Sequence, residues 1–255
     1  MQSSKLRIGI ISAEKSGDYL AASFIESLKS SGRDFELFGI GGKELDKFNI
    51  SRPQDFDREI LNVMGIIDPL KNLRQILRAR KQILDFLISK NINIFIGVDS
   101  PDLNSFFHKN LKKINSTINF QIVSPSVWAW RSGRVKQLRK FVDTTFCLFK
   151  FEHEYLKKNN VNSFHVGHPF QDIEKVEDVS SIKNRYGINN DSECLTFLVG
   201  SRRSEISNML SIYKKVIKKV YEGDKSYSFL FPVVNQDHKN IIQAELSELE
   251  TPIFI

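Results

Sequence analysis

Asn93-Ile-Phe-Ile-Gly-Val-Asp-Ser-Pro-Asp-Leu-Asn104 is the stretch whose reading decides the fold. A short apolar run that yields to polar residues and then to a new apolar period reads as a buried parallel strand entering a helix. Pro101 has no N–H for a sheet ladder and suits a first helical turn, so the strand ends near Asp99. In open α/β sheets the carboxyl ends of such strands face the ligand crevice. Asp99 then stands where a general base or substrate-positioning group belongs. Equally, Asp99 or Asp102 caps the following helix.

Toward the amino terminus, Leu6–Ser12 reads as a strand, followed by Ala13-Glu-Lys-Ser-Gly-Asp18 and a helix over residues 19–30. A strand, a small-residue turn and a helix start make a common site for nucleotides and sugar phosphates, although the GxGxxG spacing is missing. Phe35–Ile40 is a second strand ending in Gly39-Ile-Gly-Gly42, which serves either close approach to a ligand or only a tight turn. A helix over residues 69–89 follows, with Leu70, Leu73, Ile76, Leu77, Ile83, Leu84 and Leu87 as its core-facing stripe. Before it, Val63-Met-Gly-Ile-Ile67 sits beside Lys71, Arg74, Arg78 and Lys81. An apolar cluster rimmed by cations suits an acylated phosphate or a membrane surface.

Toward the carboxyl terminus, a helix to about residue 114 leads to a strand over residues 119–123, which opens into Ser124-Pro-Ser-Val-Trp-Ala-Trp-Arg131. Trp128 and Trp130 are core residues, a ligand wall or, among the cations that follow, a stacking platform for bases. A strand over 143–148, a helix through 158 and Phe164-His-Val-Gly-His-Pro169 complete a first domain, residues 1–170. Residues 171–192 read as a linker carrying a short helix. Residues 193–255 begin a second, incomplete domain with Cys194-Leu-Thr-Phe-Leu-Val-Gly-Ser-Arg202, where a helix start beside Arg202 offers a diphosphate site. Strands over 227–234 and 251–255 flank a helix over 237–249.

The composition is that of a globular protein, with 41% hydrophobic and 26% charged residues. The formal charge of +7 gathers in Lys71, Arg74, Arg78, Arg80 and Lys81, and in Arg131, Arg134, Lys136, Arg139 and Lys140. Each cluster is a solvated helix face or a surface that meets phosphate. Cys147 and Cys194 have no partners at ligand spacing, which supports neither zinc nor a disulfide framework and fits a reducing compartment. No apolar run is long enough to span a bilayer, and the amino terminus lacks a signal sequence, so a cytoplasmic protein is expected.

Six motifs in order resemble the lipid-A-disaccharide synthase family: Ala13-Glu-Lys-Ser-Gly-Asp18, Val63-Met-Gly-Ile66, Asp99-Ser-Pro-Asp-Leu-Asn104, Val123-Ser-Pro-Ser-Val-Trp-Ala-Trp-Arg131, Val166-Gly-His-Pro169 and Gly200-Ser-Arg202 with Glu205-Ile206. The run ending at Arg131 is the most specific. The resemblance implies an α/β protein of the GT-B type, a complete Rossmann-like domain followed by an incomplete one, with neither cofactor nor metal. It implies a glycosyltransferase joining UDP-2,3-diacylglucosamine to 2,3-diacylglucosamine 1-phosphate with release of UDP. The expected setting is the inner face of the cytoplasmic membrane of Gram-negative bacteria, on an anionic membrane surface. No nucleic acid is expected as a partner, and a homodimer is compatible with the resemblance.

By the same resemblance Asp99 is the base for the acceptor 6-hydroxyl. Glu14, Ser16, Asp18, Met64, Asn104, Trp128 and Arg131 line the acceptor side, and Ser201, Arg202 and Glu205 meet the donor diphosphate. Ala13 and Lys15 depart from the family's first loop, where a glycine and a small residue are usual. Members run well beyond residue 255, so a carboxyl-terminal truncation, with loss of the uridine-gripping part, little activity and a less stable second domain, is expected. A noncatalytic nucleotide- or lipid-phosphate-binding module is the alternative, and a nucleic-acid-binding protein a more distant one.

Overall fold

The computed structural model describes residues 5–54, 73–114, 117–129, 133–172, 178–201 and 203–255. By its contacts the chain divides into two compact units, Met1–Ile173 and Glu174–Ile255.

The first unit is built on β1 (Leu6–Ser12), α1 (Lys15–Ser30), β2 (Phe35–Ile40), α2 (Lys43–Asp46), α3 (Leu73–Ser89), β3 (Ile94–Val98), α4 (Pro101–Ile114), β4 (Ile118–Ile122), α5 (Arg134–Phe141), β5 (Thr144–Cys147), α6 (Lys150–Lys158) and β6 (Ser163–His165). The strands form one parallel sheet in the order β2-β1-β3-β4-β5-β6. Side chains alternate between its faces because strand residues point to opposite sides. Ile8, Ile10, Ile96 and Ile122 pack with Leu20, Ala21 and Ile25 of α1. Ile11, Phe38 and Phe95 pack with Ile83 and Leu87 of α3 and with Leu103 and Phe107 of α4. Helices on both faces are what a parallel sheet requires.

Differences from expectation have local causes. α1 starts at Lys15 rather than Tyr19, so Ser16, Gly17 and Asp18 lie in its first turn. On α3, Ile76, Ala79, Ile83, Leu84 and Leu87 are buried while Leu77 is half exposed. The burying stripe runs 76–79–83–87, which rotates Leu77 off it. Leu70 and the Met64–Lys71 cluster lie outside the described residues.

The second unit holds α7 (Val179–Arg185), β7 (Glu193–Thr196), α8 (Arg203–Gly223), β8 (Tyr227–Leu230), α9 (Gln236–Leu246) and β9 (Ile253–Phe254). Its three strands are parallel in the order β7-β8-β9. Ile206, Leu210 and Ile217 of α8 bury against Phe229, Phe231 and Ile242. The short helix α7 is tied to the start of β7, since Lys183 Nζ donates to the carbonyls of Asn190 and Ser192 at 2.8 and 2.7 Å.

Candidate active site at the carboxyl ends of the strands

β1 has β2 on one side and β3 on the other. The connections therefore diverge there, and the crevice outside the ends of β1 and β3 is where ligands bind in such sheets. Asp99 follows β3 at that point. The start of α1 packs against it: a Cβ on Gly17 would lie 3.6 Å from the Asp99 Cβ and 3.0 Å from Ser12 Oγ.

The Asp99 turn is strained and held. Asp99 and Ser100 have φ of +49° and +40°, and Val123, at the end of the neighbouring β4, has φ of +71°. A β-branched residue in that region is a genuine outlier, and such outliers cost about 1–3 kcal/mol each. Side-chain amides from the face under α4 pin these backbones. Asn104 Nδ2 donates to the carbonyls of Asp99 at 2.7 Å and Val98 at 3.2 Å. Gln121 Nε2 donates to the carbonyls of Asp99, Ile122 and Val123 at 3.0–3.2 Å. Gly97 is required by this convergence, because a Cβ there would lie 2.8 Å from Asn104 Cγ and 2.9 Å from Gln121 Oε1.

His108 closes the network from α4, with Nε2 3.0 Å from Gln121 Oε1. That oxygen is an acceptor only, so Nε2 carries a proton. Burial pulls the His108 pKa down to about 4 despite the Gln121 bond and the nearby Asp143 carboxylate. Neither His108 nor Gln121 was singled out from sequence. Their signal is a polar residue at an inward position, Gln121 in β4 and His108 on the buried stripe of α4.

Other expected residues fall in different surroundings. Asn104 is fully buried, so it acts on Asp99 through the backbone. Asp18 is also buried, and its carboxylate accepts from the N–H groups of Gly42 at 2.7 Å and Glu44 at 2.8 Å. The Gly41-Gly42 turn is thus shaped around Asp18. Glu14 is the residue before α1, and Ser16 is exposed in its first turn. Asp102 pairs with Arg134, so one cation of the second basic cluster is engaged locally. Trp128 is half exposed and meets Phe151 edge-on at 5.0 Å, and Phe151 stacks on Phe149 at 5.8 Å. Those two phenylalanines extend the aromatic surface beyond the sequence expectation. Met64, Arg131 and Trp130 lie outside the described residues.

In the second unit, Gly200 has φ of +93° and turns the chain into α8. Ser201 N–H is engaged by Glu205 Oε2 at 3.0 Å, so a side-chain carboxylate sits where an anion would bind. Arg202 lies outside the described residues. Among the described residues no three His, Cys, Asp or Glu side chains gather as a metal site would require. Burial pushes the Cys147 thiol up to about 12, which removes it as a nucleophile.

A doubly wound parallel sheet followed by a second α/β unit is the Rossmann-like pattern of GT-B proteins. The chain is similar in fold to MnaA of S. aureus in its UDP co-structure, with a TM-score of 0.65 at 10% identity over 98% of this chain and 68% of that one. A glycosyltransferase from Rickettsia africae aligns with a TM-score of 0.52 at 13% identity, over 98% and 68%. A family model described as lipid-A-disaccharide synthetase matches residues 8–253, and the chain belongs to that family. It is 33% identical to the lipid-A-disaccharide synthase of Acinetobacter baylyi, over 94% of this chain and 60% of the relative. It is 35% identical to that of Hydrogenovibrio crunogenus, over 93% and 63%. The chain thus spans about three fifths of the length of these curated relatives.

Proposed function

We propose that this chain serves a glycosyltransferase that condenses UDP-2,3-diacylglucosamine with 2,3-diacylglucosamine 1-phosphate, giving lipid A disaccharide 1-phosphate and UDP. The observation that carries this reading is the family match across residues 8–253, with Asp99 on a clamped turn at the strand switch. In the proposed reaction the acceptor 6-hydroxyl oxygen attacks the anomeric carbon of the donor. The bond from that carbon to the diphosphate breaks, its electron pair leaves with UDP, and the hydroxyl proton passes to the Asp99 carboxylate. Asn104 and Gln121 position Asp99 without touching substrate. Trp128, with Met64 and Arg131, borders the acceptor, while Glu14 and Ser16 flank it at the start of α1. Asp18 contributes by fixing the Gly42 turn. Ser201 and Arg202 meet the donor diphosphate, which takes the Ser201 N–H over from the Glu205 carboxylate, and Arg202 offsets the charge of the leaving group.

The enzyme would work at the inner face of the cytoplasmic membrane, drawn to anionic lipid by its cations. Among the described residues no helix is long and apolar enough to cross a membrane. Sedimentation with anionic vesicles should fall as salt rises, since exposed charges are screened beyond a Debye length. Equal binding to neutral vesicles would argue against the surface role.

Release of UDP from the donor in the presence of the acceptor, measured in a chain extended to the full length of its relatives, tests the reaction. Turnover that depends on both precursors is expected. Binding of UDP and acceptor without turnover would favour the noncatalytic lipid-phosphate module instead.

A further inference from the structure

A cavity of about 270 Å3 opens on the α1 side of the first unit's sheet. Its helical wall is Leu20, Ser23, Phe24 and Ser27, an i, i+3, i+4, i+7 set that shares one face of α1. Opposite stand Ile122 at the end of β4, Phe146 in β5 and Leu148 just past it. The segment after β6, from Val166 to Pro169 together with Gln171, completes the wall. Two walls are shared with the Asp99 turn. The Ile122 carbonyl accepts from the Asp99 N–H at 2.9 Å, and Leu20 lies one helical turn beyond Gly17, which packs on Asp99.

We propose that this cavity takes one acyl chain of a lipid sugar phosphate whose sugar lies at the Asp99 turn, a proposal that rests on the acceptor reading above. The lining holds no Asp, Glu, Lys or Arg among the described residues, so a phosphate or a nucleotide has no counter-charge inside. The volume falls just below the ~300–1,000 Å3 of ordinary small-ligand pockets, which suits one flexible apolar chain. His168 stands at its edge. Its Nδ1 accepts from the Phe170 N–H at 3.1 Å, which leaves Nε2 as an N–H donor for a polar group joined to the chain.

The test measures binding of glucosamine 1-phosphates bearing two butanoyl, octanoyl or dodecanoyl chains, and of decanoic acid. It compares the wild-type chain with Ser23→Trp, which fills the cavity from a partly exposed position. Glu26→Trp adds the same side chain outside the lining. Ser27→Trp, from an exposed position in the lining, repeats the test should Ser23→Trp not fold. Wild-type affinity is expected to rise about fourfold per buried methylene until the cavity is full. Ser23→Trp should weaken the dodecanoyl compound at least tenfold (the scale of two buried methylenes) and leave the butanoyl compound unchanged. Glu26→Trp should match the wild type. The same chain-length dependence in Ser23→Trp, or in Ser27→Trp where that variant replaces it, as in the wild type would overturn the proposal. Decanoic acid that binds in a Ser23-dependent way, with sugar phosphates binding no tighter, would instead overturn the acceptor reading and confine the cavity to free acyl chains.

Discussion

The Gln121 side-chain amide donates to the Asp99 carbonyl at 3.2 Å across the ends of two adjacent strands. The same amide holds Val123, so one buried residue fixes both strained backbones. Gln121 is in turn oriented by His108. The acid at the strand switch is therefore placed by side chains that approach it from beneath the sheet.

Asp99→Asn keeps the shape of the residue, and asparagine tolerates a left-handed backbone. Folding stability should stay within about 0.5 kcal/mol of wild type. In a chain extended to the full length of its relatives, turnover should fall by about 10²–10⁴ if the carboxylate takes the acceptor proton. UDP release and thermal denaturation measured together check both halves, and near-wild-type turnover would remove Asp99 from the chemistry.

Gly97→Ala should destabilise the first unit by about 1–3 kcal/mol, the usual cost of overpacking. The new methyl would press on Asn104 and Gln121, both buried and both hydrogen-bonded to the Asp99 turn. A drop in urea midpoint with an unchanged slope is the expected signature. An unchanged midpoint would mean that the network yields without cost.

His108 makes stability depend on pH. Its pKa is about 4 when folded against the ordinary 6.5 of a histidine, so the unfolded chain binds the extra proton between those values. Stability then rises with pH, and the His108 contribution is lost as pH falls from about 6.5 toward 4. Over that window the loss approaches roughly 3 kcal/mol, at about 1.4 kcal/mol per pKa unit. His108→Gln, which keeps a donor toward Gln121, should flatten the slope of urea midpoint against pH. A slope equal to wild type would assign the pH dependence to other groups.

Glu205→Gln should strengthen UDP binding about two- to fivefold, the worth of one charge at a helix amino terminus. The Glu205 carboxylate now engages the Ser201 N–H that a diphosphate would use, and the neutral amide competes less well. Titration calorimetry with UDP reads the change. Weaker binding in the variant would show that Glu205 assists the ligand rather than standing in for it.

Much of the site's position is legible in sequence. Ile94–Val98 is a strand, Pro101 begins the next helix, and Asp99 falls between them, as the apolar run and the proline require. The Ser201 turn is likewise found before α8. Side-chain roles were less legible. Asn104 and Asp18 each carry polar groups suited to a ligand, yet each is turned inward onto backbone from another segment.

The sequence by itself determined the alternation of strands and helices, the parallel sheet and the placing of Asp99 at a strand end, because these follow from local periodicity and from proline stereochemistry. Only the tertiary structure decided that Asn119 and Gln121, alternating with Phe120 and Ile122 along β4, are buried rather than solvated. A period of two says which residues share a face but not what covers that face. Here α4 supplies the cover and brings His108 with it, so Gln121 bonds the His108 ring and the strand-end carbonyls, and Asn119 the His108 carbonyl, instead of water. The strained turn at Asp99 depends on that long-range pairing, which no local pattern encodes.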